Sequence, residues 1–90
     1  MGYLREIHFT IARMIEATKR KDEKEVKRLN KNYSRLALNY HKPRLEIEGL
    51  YDRCANDCSL AFGMLPNKLE ELISDAEKIF SKIPEPREED

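Results

Sequence analysis

The sequence predicts an all-α protein, a small antiparallel helical bundle of four amphipathic segments. Three observations carry that prediction. An apolar residue falls on nearly every alternating step of three and four from Val26 to Ala61, through Leu29, Tyr33, Leu36, Tyr40, Pro43, Ile47, Leu50 and Cys54, with Asp57 the polar exception. Such a row lies along one side of a helix. Charged residues make up 38% of the chain and hydrophobic ones 40%, which suits narrow apolar stripes on wide solvated faces. Trp is absent and Gly is scarce, and no stretch shows the enrichment that strands need. Ninety residues make one domain near the lower end for a self-sufficient core. Residues 1–83 are expected to form it, and residues 84–90 an acidic, disordered tail.

The first helix is expected from Tyr3 to Arg20, with Leu4, Ile7, Ile11, Met14 and Thr18 on its apolar side and Ile15 widening the stripe. Lys21-Asp22 breaks it. Asp22 is a good N-cap for a second helix from Glu23 to about His41, and Glu25 completes an acidic variant of the capping box. Pro43 admits two readings. It can open a third helix at its first position, or it can kink one long helix. The unbroken phase from Tyr40 through Pro43 to Ile47, and the poor N-caps His41 and Lys42, favour continuation. Lys42 stands before a proline, which disfavours it. The next segment runs from Arg44 to Phe62, with Gly63 as its expected C-terminal cap. Asn67 and Glu70 form a second capping-box-like start, and the last helix is expected from Lys68 to about Ile83, where Pro84 and Pro86 stop it.

Charge is segregated along a chain that is neutral as a whole. From Lys19 to Arg44 there are ten basic residues against three acidic ones, and from Leu45 to Asp90 five against twelve. Lys24, Arg28, Lys31 and Arg35 share one face of the second helix, away from Val26, Leu29, Tyr33 and Leu36. That row could neutralise a nucleic-acid backbone. It could equally be a solvated face compensated by acids of the last two helices, among them Asp52, Glu70, Glu71, Asp75 and Glu77. Whole-chain neutrality and the lack of an aromatic residue on the basic face place nucleic acid second among the partners.

No grouping carries a specific chemistry. Cys54 and Cys58 sit four apart on one helix, where their Cβ vectors do not converge for a disulfide, and neither His8 nor His41 has a ligand partner at helical spacing. No metal and no cofactor is therefore expected. The Cys54-x-x-x-Cys58 pair resembles half of the twin motif of small mitochondrial import chaperones, and the other half is missing. Arg35 and His41 resemble the loosely spaced Arg–His pair of HEPN-type helical ribonucleases. That resemblance implies charge stabilisation and acid–base transfer at a phosphodiester. Leu36 stands where that pattern carries a polar residue, and the chain is short for that fold.

The sequence thus points to a non-enzymatic helical protein–protein interaction module, an adaptor or regulatory subunit. Its expected partner is a second copy in a homodimer, or another helical protein. Leu29, Tyr33, Leu36, Tyr40, Ile47, Leu50 and Cys54 are the residues expected to fill its own core or a partner's. Charges within residues 1–18 exclude a signal-peptide apolar region, and no run is long enough to cross a membrane, so a cytoplasmic location is expected. Nucleic-acid binding through Lys24, Arg28, Lys31 and Arg35 is the alternative, and a HEPN-like ribonuclease ranks below it.

Overall fold

Each amphipathic segment becomes one helix: α1 (Tyr3–Lys19), α2 (Glu23–Asn39), α3 (Leu45–Ala61) and α4 (Pro66–Ser81). The computed structural model describes residues 3–39 and 45–86, except for the side chains of residues 3, 45, 46 and 48. The route through Tyr40, His41 and Pro43, and the tail from Arg87, lie outside the described residues. No helix among the described residues is long and apolar enough to cross a membrane.

Residue partners fix the topology. His8 meets Tyr51 and Thr18 meets Cys58, so α1 and α3 run in the same direction. Cys54 lies on the carbonyl of Ala76 and Asn32 on Thr10, so α2 and α4 run the other way. α1 touches all three other helices, whereas α2 and α4 do not meet. The bundle is therefore skewed. Its α1–α3 diagonal closes through the middle, and α2 and α4 are left on opposite edges.

The long kinked helix favoured by the phase of the apolar row is not adopted. The Tyr33 hydroxyl of α2 donates to Asp52 of α3. Nineteen residues of straight helix would hold that pair about 28 Å apart. The row misled because the apolar residues of this segment, Ile47, Leu50, Tyr51, Cys54, Cys58 and Ala61, offer two lines at helical spacing, and α3 buries the one through Tyr51 and Cys58. Tyr51, Cys54, Ala55, Cys58 and Ala61 are buried, while Leu50 and Asp57 are only half-buried. The steps Ile47–Tyr51–Cys54–Cys58–Ala61 obey the same alternation as Ile47–Leu50–Cys54–Asp57–Ala61, and share three members with it. A row in phase across Pro43 was thus available whether or not the helix continued.

The core runs along α1, with Leu4, Ile7, Ile11, Met14, Ile15 and Ala17 all buried. Val26, Leu29, Tyr33 and Leu36 close one side, and Ala76, Ile79 and Ile83 the other. A satellite cluster of Ala61, Leu69 and Ile73, with Leu72 against it, sits at the α3–α4 turn.

The α1–α2 turn forms as the sequence suggests, with one substitution of role. Asp22 N–H donates to the Ala17 carbonyl at 2.9 Å and Lys21 N–H to that of Thr18 at 3.0 Å, the paired bonds of a Schellman cap. The left-handed residue is Lys21, at φ 60°, where glycine is usual. Asp22 also caps α2, accepting from Glu25 N–H at 3.2 Å. The side chain of Glu25 turns to Arg28, so only half of the expected capping box forms. Left-handed backbone is costly for a residue with a Cβ. Lys21→Gly is therefore expected to stabilise the protein by about 1 kcal/mol, or 4–8 °C in Tm for a domain of this size. Calorimetry showing an unchanged or lower Tm would count against the cap described.

The α3–α4 turn differs from expectation. No glycine among the described residues has positive φ, so Gly63 is not a left-handed cap; its N–H donates to the Leu60 carbonyl at 3.0 Å. α4 starts two residues before Lys68. Pro66 takes its first position and Leu65 the N-cap, with no side-chain hydrogen bond. Proline at N1 has outcompeted Asn67 as the start signal, because its fixed φ is already helical and its missing N–H would be unpaired there anyway.

Candidate functional site

The expected core-or-partner row divides when placed in the fold. Leu29, Tyr33, Leu36 and Cys54 are buried in the chain's own core, with Ile47 and Leu50 packed half-buried against it. Tyr40 lies outside the described residues. The buried members are occupied by the chain itself and offer a partner nothing without unfolding.

Besides Thr10 and Thr18, which donate to carbonyls of their own helix, two polar groupings are built into that core. Tyr51, 1% exposed, brings its hydroxyl within 2.8 Å of His8 Nδ1. The His8 ring lies over Phe80, with centroids 4.6 Å apart. The periodicity around Leu4 and Ile11 shows His8 as a flank residue; its place against Tyr51 and Phe80 needs the tertiary packing of α1 between α3 and α4. Partial burial holds the His8 pKa below its ordinary value, with the Glu85 carboxylate opposing that shift. A lowered folded-state pKa means that the unfolded chain binds the proton more readily, so stability is complete above about pH 6.5 and declines as pH falls below it. The Tm of the wild type should therefore drop between pH 7.5 and pH 5.5 by more than that of His8→Gln, which keeps an acceptor but does not titrate. Parallel pH profiles for the two proteins would refute this.

Cys54 and Cys58 are the second group. Desolvation, with Cys58 alongside, pushes the Cys54 thiol up to about 12, and burial also raises Cys58. Both stay protonated at neutral pH, and the thiol is neither the nucleophile nor the metal-binding form. No group of three or more His, Cys, Asp or Glu side chains among the described residues converges on a metal position. Asp57 sits half-buried at the α3 rim. Its pKa is raised chiefly by desolvation and eased by Arg53.

The surface carries two distinct features. At the α3–α4 turn Leu60, Met64 and Leu65 are 55%, 46% and 72% exposed. They are not members of the satellite cluster at that turn. Lys19 and Lys21 from the α1–α2 turn flank the same end, lining a groove with Leu69, Glu70, Ile73, Ser74 and Glu77. Lys68 pairs with Glu71 at 3.3 Å. Both charge signs thus occur at this end of the bundle.

The other feature is the outer face of α2. Lys24, Arg28, Lys31 and Arg35 are all exposed. The acids of α4 do not compensate them, since α2 and α4 do not meet. Glu77 instead pairs with Lys19 of α1 at 2.9 Å. Compensation is local to α2: Glu25 pairs with Arg28 and Glu23 with Lys27 at 3.7 Å. Arg35 donates to Asn32 at 2.6 Å. His41, the partner of Arg35 in the ribonuclease reading, lies outside the described residues.

Comparison with protein families, with curated proteins and with solved structures finds no match.

Proposed function

We propose that this chain is a non-enzymatic helical protein–protein interaction module, acting in the cytoplasm as an adaptor or regulatory subunit and associating with a second copy of itself. The observation that carries the reading is the apolar tip at the α3–α4 turn. Leu65 fills an N-cap position, where Ser, Thr, Asp or Asn would stabilise the helix by about 1 kcal/mol, and is 72% exposed there. Leu60 and Met64, also exposed, flank the same turn in the chain. Three large exposed apolar residues around one turn contribute nothing to the fold that polar residues could not, and clustered apolar exposure of this kind is characteristic of interaction sites.

A second copy is the favoured partner because the rim is self-complementary. In a two-fold contact each residue of the patch faces another of the same patch. A rim holding Lys21, Lys68, Glu70 and Glu71 can then oppose unlike charges on both sides of the axis. The reading is tested by dilution. Amide resonances of residues 60–65 should shift with concentration ahead of those of α2, and spectra invariant up to the millimolar range would rule it out.

A further inference from the structure

We propose that the outer face of α2 docks on the phosphate backbone of duplex DNA without reading its sequence. The proposal is independent of the association through the apolar tip, which lies on other helices. Four cations, Lys24, Arg28, Lys31 and Arg35, are exposed along α2. At 1.5 Å per residue they form a row about 16 Å long. They lie on the face opposite Val26, Leu29, Tyr33 and Leu36, which are buried against the bundle. Lys24 and Lys31 have no acidic partner among the described residues. The pairs that hold Arg28 and Lys27 are exposed ones, each worth at most about 1 kcal/mol, so a phosphate can replace them.

Neutrality of the whole chain does not cancel this row. The molecule measures 39 × 24 × 17 Å, and α4 lies across it, beyond α1 and α3. At physiological salt the Debye length is about 8 Å, so exposed charges one helix diameter away are largely screened. The field that a ligand meets at α2 is that of α2 and of Asp52, which accepts from Tyr33; between Glu23 and Asn39 five basic residues face two acidic ones, and Asp52 makes a third acid.

The geometry selects among polyanions. α2 is an edge helix touching only α1 and α3, so its outer side is free to approach a groove. The major groove of B-form DNA is about 12 Å wide and admits an α-helix between its two phosphate walls, whereas that of A-form RNA is deep and narrow. A single strand would be gripped through aromatic stacking. The outer row carries none, because Tyr33 is turned into the core.

The test is fluorescence anisotropy with a labelled duplex DNA of about two helical turns, titrated at several salt concentrations. Four phosphate contacts predict a slope of log affinity against log salt near −3.6, or a loss of roughly a hundredfold between 50 and 200 mM salt. The double variant Lys24→Glu/Lys31→Glu should bind at least about tenfold more weakly at 50 mM salt and flatten the slope to about −1.8. Lys78→Glu on α4 should bind like the wild type, and circular dichroism should show all three proteins equally helical. Any of three results would overturn the proposal: no binding at low salt, equal binding by the double variant, or equally tight binding of single-stranded DNA or of polyglutamate at matched charge. The oligomer mass of the double variant should equal that of the wild type, so failure here leaves the tip-mediated association standing and the reverse also holds.

Discussion

Tyr51→Ala should be the most damaging single substitution in this chain. Tyr51 is the largest of the fully buried side chains, placed where α3 meets α1. Truncating a buried aromatic costs about 3–5 kcal/mol, through lost transfer energy and the cavity left behind. A small domain has only about 5–15 kcal/mol in total, and a 90-residue chain sits toward the lower end. The melting temperature should fall by about 12 °C or more. Tyr51→Phe keeps the ring and removes the hydroxyl at His8, so it should cost about 1 kcal/mol. A Tyr51→Ala protein melting within a few degrees of the wild type would mean that α3 does not bury this face.

The second large effect is expected on association, with the opposite sign for stability. Leu60→Ser with Leu65→Asp removes two exposed leucines from the tip and gives α4 an N-cap acid. The cap adds about 1 kcal/mol to the fold, so the melting temperature should rise by a few degrees. Each leucine buried in an interface contributes about 1.5–3 kcal/mol, so losing both should weaken association by about a hundredfold to ten-thousandfold. A core defect cannot produce this combination, because it would lower stability and association together.

Much of the fold is legible in the sequence, and the failures have physical causes. Asp22 marks the start of α2 because a carboxylate at that position satisfies an unpaired N–H whatever the tertiary context. The four helices follow from stripes that must be buried somewhere. The line that α3 buries is harder to read, since Leu50–Cys54–Asp57 and Tyr51–Cys54–Cys58 are both allowed by a 3.6-residue repeat. Only packing against α1 decides between them. The half-buried Asp57 was the available hint, because a stripe with a charged member is the worse of the two to bury. Periodicity also cannot say which helices touch. The acids of α4 looked able to neutralise α2, and the closed α1–α3 diagonal keeps the two apart.

The surface features were legible to different degrees. The row Lys24, Arg28, Lys31 and Arg35 can be seen directly, because four cations at helical spacing have no reason to be buried; Leu38, on the same side of α2, is 81% exposed as well. The apolar tip could not be seen. Leu60 and Met64 belong to no apolar row and Leu65 stands before the last helix, and periodicity does not say that all three come out exposed at one turn. Of the residues expected to fill either the chain's own core or a partner's, Leu29 and Leu36 go to the chain's own core.

Light scattering on the wild type and the Leu60→Ser/Leu65→Asp variant across one concentration series decides whether the α3–α4 tip joins two copies of this chain. The wild type should approach twice the chain mass of 10.6 kDa, and the more stable variant should remain at the single-chain mass throughout. A wild type that stays at the single-chain mass at every concentration, or a variant that dimerises as well as the wild type, would contradict it.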